Sequence, residues 1–422
     1  MSQTTGQTFH IHTLGCPKNQ VDSDKIVGTL VDDGMVAVED AADADLVVVN
    51  TCAFIEEARE ESISTILALD SERADGARLV VTGCMAERYG DELAEALPEV
   101  DQVAGFGVPV TLSKKPLGLT VEAEAPLPKF DLLNMRRPKS SLPWAYVKIA
   151  EGCDRTCGFC AIPSFRGPQD SREVDSILQE VDDLEVREIV LVAQDLASFG
   201  KDRNQRGAIV PLVEAVAARV DRVRLLYLYP SDLSDELIDA VLATGVPYFD
   251  LSLQHVSKPH LRRMRRWGDG QRFLDRIERI RSLSPNAAFR SNFIVGYPGE
   301  TEDDQAEMAE WIEAAQLDWC GLFTYSNEAG TYAADLPDQI PVELMRERHQ
   351  ELSEIQDSIT AVRRDELIGS DVEVLVDEVG VGRSHREAPE IDGIISVPEH
   401  LDVGQFHMVR VTSSDGPDLV AE

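Results

Sequence analysis

Short apolar runs alternate with amphipathic segments through the first third of the chain. The runs that predict strands lie at residues 9–14, 45–50 and 78–82, and the helical patterns lie at residues 20–32, 56–69 and 87–97. The second run is apolar at four consecutive positions, from Leu46 to Val49, which is typical of a strand buried on both faces. This βαβαβ order predicts a parallel sheet.

A second alternating series begins near residue 145, after a stretch interrupted by prolines and without a clear period. Its predicted strands lie at residues 145–150, 188–193, 223–229, 248–253, 289–295 and 319–325. Helical patterns separate these strands, so the series contains six β/α units. Six such units predict a parallel sheet curled into a partial barrel. A helix rich in Glu and Arg is predicted near residues 342–367.

The last part of the chain has a different pattern. Residues 371–376 read D-V-E-V-L-V, and further short runs lie at 394–397 and 407–411. Short strands separated by turn residues predict a small antiparallel β-barrel. The chain is therefore predicted to be α/β, with an N-terminal domain over residues 1–112, a linker over 113–142, a partial (β/α)6 barrel over 143–368 and the β-barrel over 369–422.

Charge limits the class of partner. The 422 residues include 40 Lys and Arg against 76 Asp and Glu, a net charge of −36. This balance argues against a broad nucleic-acid or anionic-membrane surface, which needs clustered Lys and Arg. A basic protein partner fits better, and an acidic surface kept for solubility is the alternative.

The cysteines suggest metal or redox chemistry. No apolar run approaches the roughly 20 residues that span a bilayer, and residues 1–8 are polar, so we expect a cytoplasmic protein without a membrane partner. Thiols stay reduced in that compartment. Seven cysteines in such a chain indicate ligands more than disulfides.

One cysteine set lies in a single loop. Cys153, Cys157 and Cys160 are spaced C-x3-C-x2-C, directly after the first strand of the second series. Structural zinc normally takes four protein ligands, and this loop offers three cysteines and no His. Three thiolates suit a cubane iron–sulfur cluster with one iron open to a small molecule. A zinc site with a remote fourth ligand and unliganded thiols remain alternatives.

The second set is dispersed along the chain. Cys16, Cys52 and Cys84 each follow a predicted strand of the first series. The carboxyl ends of parallel strands share one edge of a sheet, so we expect these three thiols to meet there and hold a second cluster with an open iron. Each thiol taken alone is more simply a buried small residue. Cys320, in the middle of a predicted strand, is interpreted as a structural thiol.

The loop at residues 153–160 resembles that of the radical S-adenosylmethionine (SAM) enzymes. With the dispersed cysteines before it and a small β-barrel after it, the whole chain resembles the methylthiotransferases, which carry an N-terminal cluster domain, a radical-SAM barrel and a TRAM domain. Within them it is similar to the RimO branch, which modifies an aspartate of ribosomal protein S12. The matching stretches are LGCPKN at 14–19, NTCAFI at 50–55, IPSFRG at 162–167, AQD at 193–195, LQH at 253–255 and VGYPGET at 295–301.

The resemblance implies two [4Fe-4S] clusters and SAM as cofactors. The cluster on Cys153, Cys157 and Cys160 would bind SAM and reduce it to a 5′-deoxyadenosyl radical, which takes hydrogen from the β-carbon of the target aspartate. The second cluster would hold the sulfur that another SAM methylates. An electron donor of the flavodoxin or ferredoxin type and a sulfur source are implied as partners, beside ribosomal protein S12 or the small ribosomal subunit.

Further candidates follow from the same resemblance. Glu180, Gln194, Gln254, Gly296, Pro298 and Gly299 are expected near SAM, where a solvated helix face, capping hydrogen bonds or an ordinary βα turn are the alternatives. Lys18, Asn19, Arg155 and Arg166 are expected toward the substrate, where plain loop and surface roles are the alternatives. No side chain is assigned as a catalytic acid or base.

Two other functions remain open. The tRNA-modifying MiaB branch performs the same chemistry on an adenosine, but it usually has Gln-Met where this chain has Pro17-Lys18. The tail from residue 369 holds 12 acidic and 3 basic residues, which suits a basic protein better than phosphates. A non-enzymatic iron–sulfur or zinc scaffold is the third hypothesis, and the lack of a fourth cysteine in either set argues against it.

Overall fold

The computed structural model describes residues 6–112 and 131–422 and divides into two compact units. The first unit contains the described residues up to Lys139 together with Ala161–Pro168, and the second contains Ser140–Cys160 and Gln169–Glu422. Much of the predicted linker, residues 113–130, lies outside the described residues. No helix in the described part of the chain is long and apolar enough to cross a membrane.

The first unit is built on a parallel sheet. Its strands are β1 (Thr8–Thr13), β2 (Val36–Ala37), β3 (Leu46–Thr51), β4 (Arg78–Gly83) and β5 (Gln102–Ala104), in the order β2-β1-β3-β4-β5. All neighbouring strands pair in parallel, which confirms the predicted sheet. The central strands β3 and β4 are buried along their whole length. The edge strands β2 and β5 were not predicted, because two or three residues are too few to show a period.

The helices of this unit begin close to the cysteines. They are α1 (Pro17–Asp32), α2 (Glu56–Glu72), α3 (Cys84–Ala96) and α4 (Ile162–Arg166), with 3₁₀ turns at Ala41–Asp43 and Leu132–Asn134. Pro17 occupies the first turn of α1, where its fixed φ suits a helix and its missing N–H is not needed. The short helix α4 joins the unit through Phe165, which packs in a core with Val49 and Met85.

The second unit contains the predicted partial barrel. Its first strands are β6 (Trp144–Lys148), β7 (Ala150–Glu151), β8 (Asp170–Ser171), β9 (Glu188–Val192), β10 (Arg222–Leu225), β11 (Tyr248–Gln254), β12 (Ala288–Val295) and β13 (Trp319–Thr324). Strands β10-β9-β6 and β11-β12-β13 form two parallel sheets, which a parallel bridge between Leu228 and Leu251 joins. The six β/α strands therefore follow chain order around the barrel, as predicted. Strands β7 and β8 form a separate antiparallel pair beside the first cysteine loop.

Helices surround this barrel. They are α5 (Val174–Leu184), α6 (Ile209–Ala217), α7 (Asp235–Ala243), α8 (Lys258–Arg263), α9 (Gly270–Leu283), α10 (Glu302–Ala315) and α11 (Val342–Asp365), with 3₁₀ turns at Leu196–Ser198, Lys201–Arg203, Pro230–Asp232 and Tyr332–Asp335. One continuous apolar core joins the inner faces of these helices to the strands. Helix α10 has a complete capping box, in which Thr301 and Asp304 bond reciprocally.

The tail folds into a closed barrel. Its strands are β14 (Asp371–Glu378), β15 (Val381–Arg383), β16 (Ile395–Ser396), β17 (Phe406–Asp415) and β18 (Asp418–Ala421), in the order β14-β15-β16-β18-β17. The prediction of an antiparallel barrel holds except that β16 and β18 pair in parallel. Alternate apolar residues, among them Val374, Val376, Val409 and Val411, fill its interior.

Buried ion pairs join this small barrel to the amino ends of the (β/α) strands. Glu188, the first residue of β9, is fully buried and accepts hydrogen bonds from Arg224 Nε at 2.9 Å and from Arg383 Nη1 at 3.3 Å. Arg290 Nη1 of β12 lies 2.6 Å from Asp392 Oδ1. The small barrel covers the amino ends, and the carboxyl ends are the edge at which (β/α) barrels place their active-site loops.

Candidate functional site

The dispersed cysteines lie at the carboxyl ends of three neighbouring strands. Cys16, Cys52 and Cys84 follow β1, β3 and β4, which are adjacent in the sheet. Gly15 precedes the first cysteine with φ +96°, and a Cβ there would lie 3.1 Å from Cys52 Sγ. The loop that carries Cys16 therefore lies directly against Cys52.

Gly83, at the end of β4, lies in close contact with the end of β3. It has φ +89° and caps the amino end of α3, and a Cβ there would lie 2.6 Å from the carbonyl O of Thr51. This backbone conformation is almost restricted to glycine. Gly83 thus allows the turn that places Cys84 beside the end of β3.

One buried amide connects these strand ends. The Asn19 side chain is fully buried, and its Nδ2 donates to the carbonyl O of Leu14 at 2.8 Å and to that of Thr51 at 3.1 Å. These carbonyls lie just before Cys16 and Cys52 in the chain. The Nδ2 of Asn50 donates in turn to the backbone O of Asn19 at 2.8 Å. Asn19, expected near the substrate, is placed here as an internal link between the cysteine loops.

A guanidinium completes the link to the third cysteine. Arg166, the last residue of α4, donates from Nη2 to Asn19 Oδ1 at 2.8 Å and to Cys84 Sγ at 3.0 Å. Its guanidinium carbon lies 4.6 Å from the centre of the Phe106 ring, and its side chain is 2% exposed. Arg166 was also expected toward the substrate, and the structure places it against a cysteine sulfur.

The thiols influence one another electrostatically. Burial, together with the negative charges of Cys16 and Cys84, raises the pKa of Cys52 to about 12. Burial also acts to raise the pKa of Cys16, but the positive charges of Lys18 and Arg166 outweigh burial and lower it. Lys18 is itself buried. Three thiolates this close together would repel one another, and a bound metal cluster would supply the positive charge that offsets the repulsion.

Each cysteine set supplies three thiols, which is the number of protein ligands that a [4Fe-4S] cluster with one open iron would take. Within residues 6–112 and 131–422, no three His, Cys, Asp or Glu side chains are grouped so that they could hold a single metal ion.

The local set lies in the loop between β7 and α4. Cys153, Cys157 and Cys160 are each partly exposed, unlike Cys52 and Cys84. Arg155 N donates to Cys153 Sγ at 3.4 Å, and Arg266 Nη1 donates to Cys157 Sγ at 3.3 Å. Burial raises the pKa of Cys153 to about 11.

Two arginines flank one aromatic ring beside this loop. The guanidinium carbons of Arg155 and Arg266 lie 3.8 Å and 4.2 Å from the centre of the Tyr229 ring. Arg155 Nε also donates to Asp195 Oδ2 at 2.6 Å, and Arg155 pairs with Asp232. The carboxylates that Arg155 binds in this structure are therefore the chain's own.

Gln194 and Glu180, two of the residues expected near SAM, have partners within the barrel. Gln194 Nε2, just after β9, donates to Glu151 Oε1 at 2.5 Å, and Glu151 Oε2 lies 2.7 Å from Lys148 Nζ. Glu180 on α5 lies 2.6 Å from Arg172 Nη1 and is nearly buried. Glu151 was not singled out from the sequence, although its position two residues before Cys153 places it at the same strand end.

The turn at residues 296–300 is fixed from within. Gly296 N donates to Glu300 Oε2 at 3.0 Å, and Glu300 Oε1 accepts from Arg348 Nη1 at 2.9 Å. Gly296 and Gly299 both have positive φ, +80° and +82°. Glu300 and Arg348 thus hold the turn that contains Gly296, Pro298 and Gly299.

Gln254, at the end of β11, also departs from regular strand geometry. It has φ +73°, and the pairing register with β12 shifts between Leu251 and Gln254. The next residue, His255, is fully buried, and its Nδ1 accepts from Ser257 N at 2.9 Å. The irregularity turns the chain at the carboxyl edge, where the barrel loops collect.

Three residues of the local site were missed by sequence reasoning: Glu151, Tyr229 and Arg266. Each is a single residue outside any spacing motif. Glu151 alone had a signal, its place between a predicted strand and Cys153. The roles of Tyr229 and Arg266 depend on the closing of the barrel, which brings the ends of different strands together.

Three family models match the chain. One described as Uncharacterized protein family UPF0004 matches residues 8–105, the Radical SAM superfamily matches residues 147–312, and the TRAM domain matches residues 368–422. These segments agree in order with the parallel sheet, the partial barrel and the small β-barrel. The radical-SAM match implies one [4Fe-4S] cluster and SAM.

Similar proteins cover the whole chain. A protein named ribosomal protein uS12 methylthiotransferase RimO from Frankia casuarinae is 41% identical, over 100% of this chain and 94% of its own length. One of the same name from Kineococcus radiotolerans is 40% identical over 99% and 97%. Among solved structures, the radical SAM methyltransferase TsrM from Kitasatospora setae aligns with a TM-score of 0.47 and 14% identity, over 76% of this chain and 75% of its own.

Proposed function

This chain belongs to the RimO family of ribosomal protein uS12 methylthiotransferases, and from that premise we propose that it adds a methylthio group to the β-carbon of an aspartate in ribosomal protein uS12. The observation that carries the proposal is the second three-cysteine site on Cys16, Cys52 and Cys84. Radical-SAM chemistry alone needs only the loop at Cys153, Cys157 and Cys160. A second site with its own open position is what sulfur transfer requires in addition.

The local loop would hold the SAM-binding cluster. Bound there, the cluster and SAM supply a 5′-deoxyadenosyl radical able to take hydrogen from an unactivated carbon. Arg155 and Arg266 hold two of the loop's thiolates by hydrogen bonds to Cys153 and Cys157. Glu151, Gln194 and the turn at Gly296, Pro298 and Gly299 lie at carboxyl strand ends, and we assign them to the SAM side, with Glu180 and Gln254.

The dispersed site would hold the second [4Fe-4S] cluster and the sulfur to be transferred. Asn19 links the loops of Cys16 and Cys52, and Arg166 links Asn19 to Cys84. Lys18 and Arg166 supply positive charge beside Cys16. In this proposal the main role of Lys18, Asn19 and Arg166 is to hold the second cluster, and the main role of Arg155 is to hold the local loop. A contact of these residues with the target aspartate would be a second role.

Substrate choice follows from charge. Residues 369–422 carry 12 acidic and 3 basic residues, and the whole chain has a net charge of −36. A basic ribosomal protein, free or within the small subunit, complements this surface, whereas tRNA phosphates would be repelled. An electron donor of the flavodoxin or ferredoxin type and a sulfur source complete the proposed set of partners.

The substrate is tested in cells. We would delete the gene and examine ribosomal protein uS12 and bulk tRNA from the same cells by mass spectrometry. Loss of the methylthio group from the uS12 aspartate, with unchanged tRNA, is the expected result. Loss from a tRNA adenosine would place the chain's activity on RNA and contradict the charge argument.

The division of labour between the two sites is tested in vitro. Cys157→Ala should abolish SAM cleavage, because the local cluster loses a ligand. Cys52→Ala should leave cleavage largely intact and block the methylthiolated product. Cys320→Ala is the matched control, because Cys320 belongs to neither site. Retained cleavage in Cys157→Ala, or retained product in Cys52→Ala, would contradict the corresponding assignment.

A further inference from the structure

The Arg166 side chain is fixed by hydrogen bonds, an ion pair and an aromatic ring. Its Nη2 donates to Cys84 Sγ at 3.0 Å and to Asn19 Oδ1 at 2.8 Å, and Nη1 lies 3.7 Å from Asp22 Oδ2. The Phe106 ring lies against the guanidinium, with its centre 4.6 Å from Cζ. A guanidinium fixed by these partners and 2% exposed has little freedom to leave the sulfur.

The segment that delivers Arg166 is itself anchored. Residues Ala161–Pro168 belong to the first unit, although they follow Cys160 of the local loop directly in the chain. Phe165 packs in the core of the first unit, beneath the Arg88 guanidinium. The chain that carries the local cysteine set therefore continues into a helix that places a positive charge on a sulfur of the dispersed set.

A positive charge at this position has a defined electrostatic effect. Three thiolates and an iron–sulfur core carry net negative charge, and each added electron increases it. Hydrogen bonds and positive charges at the thiolate sulfurs stabilise the more negative state and raise the reduction potential. Burial strengthens the effect because solvent does not screen it.

We propose that Arg166 is a positioning residue for the second cluster, which holds the Cys84 thiolate in place and raises the reduction potential of the cluster on Cys16, Cys52 and Cys84. The inference rests on the proposed function, in so far as that function assigns a cluster to these cysteines. It assigns Arg166 to the cluster itself, and it holds whichever substrate the enzyme modifies.

The experiment isolates the second cluster in the full-length chain. Cys153, Cys157 and Cys160 are all replaced by Ala, the protein is reconstituted with iron and sulfide, and the cluster is titrated with dithionite while its electron paramagnetic resonance signal is followed. Arg166→Gln in this background should bind iron and titrate at a lower potential. We expect at least a tenfold change in the redox equilibrium, which for one electron corresponds to about 59 mV.

Arg88→Gln is the matched control. Arg88 lies on α3 with Cys84, stacks on the Phe165 ring at 5.8 Å and donates Nη1 to the carbonyl O of Ala53 at 3.0 Å. Its substitution also removes one positive charge from the same unit, but its hydrogen bond goes to a backbone oxygen. The reduction potential of the Arg88→Gln variant should stay close to that of the parent, which is the chain lacking only the three local cysteines.

The outcomes separate this proposal from the proposed function. A full complement of iron with an unchanged potential in Arg166→Gln overturns the role of Arg166 and leaves the second cluster standing. If the chain lacking only the three local cysteines binds no iron, the assignment of a second cluster is wrong, and this inference is wrong with it. Should Arg166→Gln not fold by circular dichroism, Arg166→Met decides, because it removes both the positive charge and the Nη2 donor to Cys84 and Asn19 while keeping an unbranched side chain. A reduction potential below that of the chain lacking only the three local cysteines supports the proposal, and an identical potential overturns it.

Discussion

The two cysteine sites contain three thiols each and are built in opposite ways. Cys153, Cys157 and Cys160 lie within eight residues of one loop, whereas Cys16, Cys52 and Cys84 come from three strands and meet only through the sheet. Yet each site has an arginine that donates to one sulfur, Arg266 to Cys157 and Arg166 to Cys84. Each set of thiols therefore has an arginine donor at one sulfur, but a single loop holds one set together and a sheet holds the other.

The residues that hold each cysteine site together determine which substitutions should disrupt it. In the local site the spacing of the loop itself keeps the thiols together, and the surrounding residues orient it. In the dispersed site the sheet brings the strand ends together, and Gly83 and Asn19 keep the loops that carry the thiols in contact with those ends. Substitutions in that support should therefore damage the dispersed site and spare the local one.

The largest effect is expected from Gly83→Ala. The methyl group would contact the Thr51 backbone, and the φ of +89° disfavours any side chain. We expect the free energy of unfolding of the first unit to fall by about 4 kcal/mol, from backbone strain and displacement of the strand end. Urea unfolding and the iron content of the chain lacking the local cysteines would measure both consequences.

Gly76→Ala provides the matched control for that change. Gly76 also has positive φ, +87°, but a Cβ there would meet nothing within 4 Å. Only the conformational cost remains, about 1 kcal/mol. If Gly76→Ala were as harmful as Gly83→Ala, the close approach at Thr51 would not be the reason for the glycine.

Asn19→Ala should have the next largest effect. It leaves the carbonyls of Leu14 and Thr51 buried without the Nδ2 donor, and it removes one acceptor from Arg166. A loss of about 3 kcal/mol in unfolding free energy is expected, with reduced iron at the dispersed site. SAM cleavage by the local site should persist in the otherwise unchanged enzyme.

The amide at Asn134 serves as the control for Asn19. Its Nδ2 donates to Asp131 Oδ2 at 2.8 Å in an exposed position. Asn134→Ala should change stability by no more than about 0.5 kcal/mol and leave the iron content unchanged. Equal iron content in Asn19→Ala and Asn134→Ala would show that the cysteine loops stay together without the buried amide.

The same contrast explains what the sequence could predict. The local set is visible as a spacing, and the dispersed set becomes visible once Cys16, Cys52 and Cys84 are placed after consecutive strands of one sheet. The fold class and the six barrel strands follow from apolar periodicity. Short edge strands such as β2 lack enough residues for a period, and no pattern marks the parallel pairing of β16 with β18.

The supporting residues were harder to interpret than the cysteines. Asn19 and Arg166 were singled out from the sequence, but their partners come from residues up to 147 positions away. A buried amide and an exposed one look alike in a sequence, since the difference lies in what packs around them. The expectation that Asn19 and Arg166 also face the substrate stays a prediction.

The smallest effect is expected at the arginine of the local site. Arg266 donates to Cys157 Sγ at 3.3 Å and stacks on Tyr229, but it is only partly buried, so water weakens its field more than that of Arg166. Loss of one such bond corresponds to about 1.4 kcal/mol, so Arg266→Gln should slow SAM cleavage roughly tenfold and leave iron bound.

Arg272→Gln, on an exposed arginine beside Trp267, is the control and should cleave SAM at the unaltered rate. If Arg266→Gln instead lost its iron as Cys157→Ala does, the local site would depend on tertiary support as much as the dispersed one, and the contrast between the two sites would be wrong.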